Sequence, residues 1–453
     1  MSTKFKILIF SSIFLITACQ SRKPYIPDTG DDGFLDEPYN EQTNYDNVPS
    51  KIDPETTLQD LLKYAALNNA SLKAAYLNWQ AEIFKVYPAG ALPDPQVSYT
   101  YYIQEVETRV GPQRHSLGFM QMLPWFGKLE LKEALQKAAV KSRKAEYDAV
   151  RNELFSKVEQ LYSDYWYLQQ SQRITEENLK LLNSLEPVVR NRIKVGEGTK
   201  DLIKLQIEIA KLTDVRDNLK LRKVPLDAKL NSLLNRPARA EVGLIAILGK
   251  VREKWDEEKL LTTVKNNPAL QKFEFLKESA SVKAELADNN RYPNFELGLK
   301  WIQTDDSFMN TRENGKDPVM ATIGFTVPWD QRKYDQLVAA ARSEYRSVNW
   351  AKRAFQNSLE MRLKTALFEI EDNLRVIKLY RDTLIPKTEE SLAISMQAYR
   401  NAKESFIGFV DIQRQLLSFQ LVLEKARKNI SIQKAVIEEI TGEKISPDGG
   451  NHE

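Results

Sequence analysis

Two stretches of this chain repeat one pattern, so any fold for it must be built twice from the same unit. In the later stretch Ala321, Ile323, Phe325 and Val327 alternate with Thr322, Gly324 and Thr326, the period of a strand. Pro328 has no N–H to give to a sheet ladder, so the strand stops before Trp329. From about Gln331 to Tyr399 the residues are helix formers, interrupted once by Pro386. The earlier stretch, Gly118-Phe119-Met120-Gln121-Met122-Leu123-Pro124-Trp125, ends another alternating run. A helical pattern follows it from Lys128 into the 180s, or as far as Lys194.

The repeat extends well beyond these corners. In the first copy, Leu58, Leu61, Leu62 and Ala65 form one stripe of a helix over 57–67. Asn68-Asn69-Ala70-Ser71-Leu72 breaks that helix and caps a second, expected to run to about Tyr87. Pro88 to Pro95 predicts a turn. Val97, Tyr99, Tyr101 and Ile103 then alternate with Ser98, Thr100, Tyr102 and Gln104. A loop over 105–114 leads to a second strand over roughly 115–123. In the long helix Leu154, Val158, Leu161, Tyr165 and Leu168 step by four and three, the coiled-coil spacing. At ~1.5 Å per residue such a helix is roughly 100 Å long. Val195-Gly196-Glu197-Gly198-Thr199 is a tight turn, and a return helix is expected from Asp201 to about Asn235.

The second copy starts with a helix over 260–265, broken by Asn266-Asn267-Pro268-Ala269-Leu270. The Asn pairs are offset by 198 (266 − 68 = 198), as are Pro95 and Pro293. Phe295, Leu297, Leu299 and Trp301 alternate with Glu296, Gly298 and Lys300, and a polar loop over 304–317 leads to the strand at Ala321. The tryptophans are offset by 204 (329 − 125 = 204), so the second copy has gained residues mainly in its loop. A turn over 401–405 precedes a return helix with Ile412, Leu416, Phe419, Leu423, Ala426 and Ile430. The expected organisation is a signal segment over 1–18, a tether over 19–54 and a first repeat over 55–240. A connector over 241–257, a second repeat over 258–442 and a polar tail over 443–453 complete it.

The N-terminal segment addresses location. Lys4 and Lys6 precede a short apolar run from Ile7 to Ile16, which is too short to span a bilayer. Leu15-Ile16-Thr17-Ala18-Cys19 resembles a bacterial lipobox, with Ile16 where Leu is preferred. The resemblance implies removal of the signal, acylation (palmitate) at Cys19 and, with Gln20 rather than Asp next, delivery to the outer membrane. An ordinary signal peptide with an incidental Cys19 is the alternative. No later apolar run suits a transmembrane helix, so a chain like this crosses a membrane only as a barrel.

Two strands cannot close a barrel, and neither can four. An apolar strand face opposed by one of Ser, Thr, Glu, Lys and Gly fits a transmembrane barrel with a wet lumen. It equally fits a small soluble sheet packed on helices, and the pattern alone leaves both open. The lipobox and the aromatics bracketing the strands (Tyr99, Tyr101, Trp125, Trp301 and Trp329) favour the membrane. Closure then takes several copies, and three would give twelve strands.

With these features in order, the chain resembles the TolC-like outer membrane factor family over nearly all of residues 55–442. The lipobox resembles its lipoprotein branch, which serves pumps of the resistance-nodulation-division type. The resemblance implies a mainly α fold with a small β part: long helical hairpins plus four strands per chain. It also implies a homotrimer whose 12-stranded barrel continues as a helical periplasmic tunnel. Implied too are a periplasmic adaptor and an inner-membrane pump as partners, and passive conduction without catalysis. The hairpin tips would meet the adaptor through Gly196, Gly198, Thr199, Ala402, Glu404 and Ser405. Ala402 stands where the family usually has Gly, and Glu404 where a basic residue is frequent. Pro124, Trp125, Pro328 and Trp329 would mark the membrane interface. Asp411 matches an acidic position that lines the periplasmic gate; the plainer reading is one solvated helix residue.

Other classes find little support. A net charge of +3 without a basic cluster argues against nucleic acid, and one Cys with two His excludes a Cys/His zinc site. Seven Met form no relay cluster, so no metal or other cofactor is expected. There is no phosphate loop, nucleophile elbow or HExxH. A type I secretion outlet, or a structural periplasmic coiled-coil lipoprotein, remain the alternatives, and the substrate class is not legible.

Overall fold

The computed structural model describes residues 52–194, 199–249, 254–308, 312–401 and 403–444. Cys19, the tether, Gly196, Gly198 and Ala402 lie outside them. Contacts divide the chain into two compact units. One holds residues 78–143 and 274–350; the other holds residues 52–77, 144–273 and 351–444, within the described parts.

The first unit is built on a four-stranded sheet of β1 (Gln96–Val106), β2 (Gln113–Leu123), β3 (Phe295–Thr304) and β4 (Val319–Phe325). The strands are antiparallel and neighbour each other in chain order, so β1 and β4 are its two edges. The expected loop over 105–114 is shorter than predicted, because both strands of the first hairpin run further into it. Conversely, β4 ends at Phe325: the Thr326 N–H still reaches the Asn294 carbonyl opposite it, but the Asn294 N–H turns to Thr326 Oγ1 at 2.8 Å instead of completing the ladder. Two helices, α2 (Ala70–Phe84) and α3 (Val86–Gly90), precede the sheet. The turn expected from Pro88 is helical here: Pro88 sits in the first turn of α3, where an N–H has no intrahelical acceptor to lose.

The second unit is helical. It contains α1 (Leu58–Asn68) and residues 144–194 of α4 (Lys128–Lys194). The return path is split into α5 (Thr199–Leu221) and α6 (Lys223–Leu233). Pro225 explains the split, for it has no N–H to offer the Leu221 carbonyl. Then come α7 (Glu257–Thr263) and residues 268–273 of α8 (Pro268–Asn289). Residues 351–379 of α9 (Gln331–Leu379), α10 (Ile385–Arg400) and α11 (Phe406–Thr441) complete it. Pro386 does not break the chain as predicted. A single π turn over Tyr380–Leu384 absorbs it, and Pro386 becomes the second residue of α10.

Leu154, Val158, Leu161, Tyr165 and Leu168 are all buried, as their spacing predicts. One apolar cluster joins Leu182, Leu185 and Val189 of α4 to Leu205 of α5, Tyr399 of α10 and Phe406 and Phe409 of α11. A second joins Leu359, Leu363 and Ile370 of α9 to Ile430, Ile437 and Ile440 of α11.

The repeated Asn pair proves to be a repeated joint. Asn69 Oδ1 accepts from Leu72 N at 2.9 Å, capping α2, while its Nδ2 donates to Leu233 O at the end of α6. Asn267 does the same: Oδ1 accepts from Leu270 N, and Nδ2 donates to Ile440 O at 2.8 Å near the end of α11. One amide thus satisfies an orphan donor at one helix start and an orphan acceptor at another helix end. Asn69→Ala or Asn267→Ala removes the cap and strands a carbonyl. Each variant is expected to lose about 1–3 kcal/mol in denaturant unfolding, with Asn→Asp recovering only the capping half.

Candidate functional site

The sheet presents two unlike faces. Register sets Tyr99, Leu117, Trp301 and Val319 in one row, and Val97, Phe119, Leu299 and Ala321 in the next. Leu297 with Ile323, then Leu123, Phe295 and Phe325, continue this face. The reverse face carries Ser98, Gly118, Lys300 and Met320 in one row, and Gln96, Met120, Gly298 and Thr322 in another. None of the described helices covers the apolar rows: Ile103 is 90% exposed, Ile323 75% and Val97 70%. Gln121 interrupts the apolar face and is tied down, its Nε2 donating to Pro93 O at 2.8 Å. His115 is a second polar insertion, opposite Gln303, with Nδ1 2.6 Å from Tyr99 Oη and its ring beside Tyr101. From Phe295 to Gln303 the strand rises roughly 27 Å, or roughly 21 Å of height at a barrel tilt of about 40°. That is close to the apolar band of an outer-membrane barrel, about 25 Å.

At one end of the sheet the two hairpin loops hold each other. Asp305 N donates to Pro112 O at 2.9 Å, and Gly315 N donates to Val110 O at 2.8 Å. Arg114 reaches both Glu105 and Asp305, at 2.7 and 3.0 Å. Gly111, at φ +125°, lies so close to Asp305 O that a Cβ there would be 1.6 Å from it.

At the opposite end stand the corners, and they differ. Trp125 stacks on Tyr292 at 5.1 Å and on Phe295 at 5.6 Å, and its backbone N–H donates to Asn294 Oδ1 at 3.3 Å. Lys128 Nζ beneath it donates to Asn294 Oδ1 and Tyr292 O, both at 2.9 Å. Desolvation, with Lys132 nearby, pulls the Lys128 ammonium below its usual value. Trp329, by contrast, is 89% exposed, with Phe325 and Val327 exposed before it.

In the helical unit, the described residues of the hairpin tips have structural work. Thr199 opens α5. Ser405 caps α11, its Oγ accepting from Gly408 N at 3.3 Å, and Glu404 precedes it. Tyr399 is fully buried; Arg192 lies 4.6 Å over its ring, and its hydroxyl donates to Asp201 Oδ2 at 3.3 Å. Burial and the Asp201 charge push the Tyr399 phenol up to about 12. Asp411 is exposed on the first turns of α11, and it is not alone. Arg414 Nη1 is 3.4 Å from it, while Arg414 Nε donates to Glu208 Oε2 of α5 at 3.0 Å. Lys211 adds a second cation to Glu208 at 3.1 Å. The Asp-x-x-Arg spacing was readable in sequence; Glu208, on the other hairpin, was not.

Among the described residues there is no metal-ligating cluster, and no helix is long and apolar enough to cross a membrane. The chain matches no protein-family model and no curated protein. Solved structures do match. The OprN outer-membrane channel aligns with a TM-score of 0.72 at 13% identity, over 85% of this chain and 89% of that chain. VceC, an outer membrane protein of Vibrio cholerae, gives 0.70 at 14% over 85% and 96%, respectively. The CmeC outer membrane channel of Campylobacter jejuni gives 0.70 at 13% over 93% and 94%. The chain therefore has the fold of the TolC-like outer membrane channels.

The Arg414 bonds hold the Glu208 carboxyl below its usual 4.5. A depressed carboxylate adds stability that is complete above the unfolded value and disappears as pH falls through the folded one. Amide protection factors near the tips, which correct for the slowing of intrinsic exchange in acid, are therefore expected to fall once pH drops below 4.5, the unperturbed value. Glu208→Gln should already show lowered protection at neutral pH and lose that pH dependence.

Proposed function

We propose that the chain is the outer-membrane exit duct of a tripartite efflux system, passively conducting substrate without catalysis of its own. Three copies close their sheets into a twelve-stranded barrel, and the helical hairpins line a periplasmic tunnel. The observation that carries this reading is the uncovered apolar face of the sheet, of outer-membrane height and backed by a polar face. A structural coiled-coil lipoprotein has no use for such a face, and a soluble enzyme could not leave it bare. Acylation at Cys19 would anchor each copy in outer membrane lipid. The hairpin tips, with Thr199, Glu404 and Ser405, would meet the periplasmic adaptor, which couples the duct to an inner-membrane pump. The test is a heat-sensitive oligomer in outer-membrane fractions with channel activity in planar bilayers. A monomer that stays soluble once its lipid is removed contradicts the duct.

Asp411 places a carboxylate beside the Arg414–Glu208 tie on the tip-proximal turns of α11 and α5. Repeated three times around an opening, it would concentrate cations and bias the entrance. Conductance and cation selectivity should both fall in reconstituted Asp411→Ala; an unchanged channel removes Asp411 from the gate.

The corners set the depth of insertion. Proline ends the ladder and tryptophan prefers the interface. A spin label at position 329 should report the periplasmic boundary of the membrane. Deep burial in hydrocarbon, or free exposure in bulk water, contradicts that placement.

A further inference from the structure

The two corners are copies in sequence, but only one is finished. Leu123-Pro124-Trp125-Phe126-Gly127-Lys128 corresponds to Val327-Pro328-Trp329-Asp330-Gln331-Arg332, offset by 204 (329 − 125 = 204). The strand lead Tyr292-Pro293-Asn294-Phe295 corresponds to Asp94-Pro95-Gln96-Val97, offset by 198 (293 − 95 = 198). Cation matches cation at 128 and 332, and amide matches amide at 294 and 96.

In the finished corner every partner comes from the next strand of the sheet. Lys128 and Trp125 follow β2, while Tyr292, Asn294 and Phe295 lead into β3. The second corner follows β4, which has no next strand. Trp329 and Arg332 stand exposed there, and Arg332 makes no ion pair or side-chain hydrogen bond among the described residues. At the other edge of the same sheet Asp94 and Gln96, the counterparts of Tyr292 and Asn294, are also exposed, and Asp94 is likewise unpaired among the described residues.

We propose that the second corner is completed between copies of the chain: Arg332 binds the partner subunit's Gln96 and Asp94, under a Trp329 seated on the partner's Val97. This rests on the three-chain barrel. The register follows from the repeat. Phe119 faces Leu299 and Gln121 faces Leu297 across β2 and β3. Carried through the two offsets, Ile323 faces the partner's Tyr101, and Phe325 faces the partner's Tyr99. All four belong to the exposed apolar face, so the two apolar faces run on continuously; a slip of one residue would set apolar against polar. Asp94 in place of Tyr292 adds what the finished corner lacks, a carboxylate for a guanidinium fork.

The experiment uses the full-length chain in detergent, followed by its heat-resistant oligomer on gels. A control carries Ile323→Cys and Tyr101→Cys, whose oxidation should link neighbouring copies. Asp94→Arg and Arg332→Asp should each lose the oligomer at temperatures where the parent keeps it, and Arg332→Gln should weaken it less. The double variant Asp94→Arg with Arg332→Asp should regain much of the parent's heat resistance. If the control links copies but the charge variants behave like the parent, or the double is no better than the singles, the corner pair is wrong and the barrel stands. If the control never links and the parent never forms an oligomer, the three-chain reading falls and the corner with it.

Discussion

A sheet with a bare apolar face and two open edges cannot remain as it stands in water. The exposed rows from Val97 to Ile323 lose free energy at about 25 cal/mol per Å² of apolar surface left in contact with solvent, and the edges invite pairing. Covering the face with a helix would satisfy the first demand, and the chain has more than enough helix to do so. None of the described helices is used that way. The helical residues instead bury their stripes against one another, in the clusters around Val189 and Phe409 and around Leu363 and Ile437. Lipid on one face and further strands at both edges satisfy the sheet in a way that no packing within one chain provides.

The duplication shows how one unit serves two situations. Where both halves of a contact lie within the chain, the copies converge on the same solution: Asn69 and Asn267 each cap one helix and close the end of another. At the second corner, where β4 is an edge strand with no further strand beside it among the described residues, the copies diverge. Trp125 is stacked and Lys128 buried, while Trp329 and Arg332 are exposed. A repeat that is symmetric in sequence and asymmetric in packing shows at which positions the fold is finished within one chain.

Sequence pattern exposed whatever rested on local geometry. The alternation through Tyr99 and Leu299 gave the right faces, and the steps from Leu154 to Leu168 gave the buried stripe, because both are periods of the backbone itself. The proline signals were less reliable. Pro88 and Pro386 predict breaks, yet Pro88 sits in the first turn of α3, where a missing N–H has no acceptor to abandon, and the π turn before Pro386 absorbs the other. Least legible were contacts between distant segments. Arg114 bridging Glu105 and Asp305, and Arg414 joining Asp411 to Glu208, become visible only once the topology brings the segments together. The lipobox and the glycine turn at the first tip lie outside the described residues, so their part in the reading stays with the sequence.

Register along the helices is the condition on which that tip chemistry depends. Beyond Leu168 the buried stripe of α4 takes in polar residues, Ser171, Thr175 and Asn178, around Ile174, before Leu179 and Leu182 resume it. An all-apolar stripe would pack almost as well after sliding by a heptad. Asn178 removes that freedom, since its Oδ1 accepts from the buried Gln413 Nε2 of α11 at 2.8 Å. A slide would strip Asn178 Oδ1 and Gln413 Nε2 of this buried bond, at a cost of about 1–3 kcal/mol for each group left unpaired. Gln413 lies one residue before Arg414 and two after Asp411. The bond that fixes α11 against α4 therefore also fixes the height at which Arg414 meets Glu208 and at which Asp411 faces solvent. Polar residues in the middle of a coiled stripe look like defects in the pattern; here they keep the charged residues of the two hairpins level with one another.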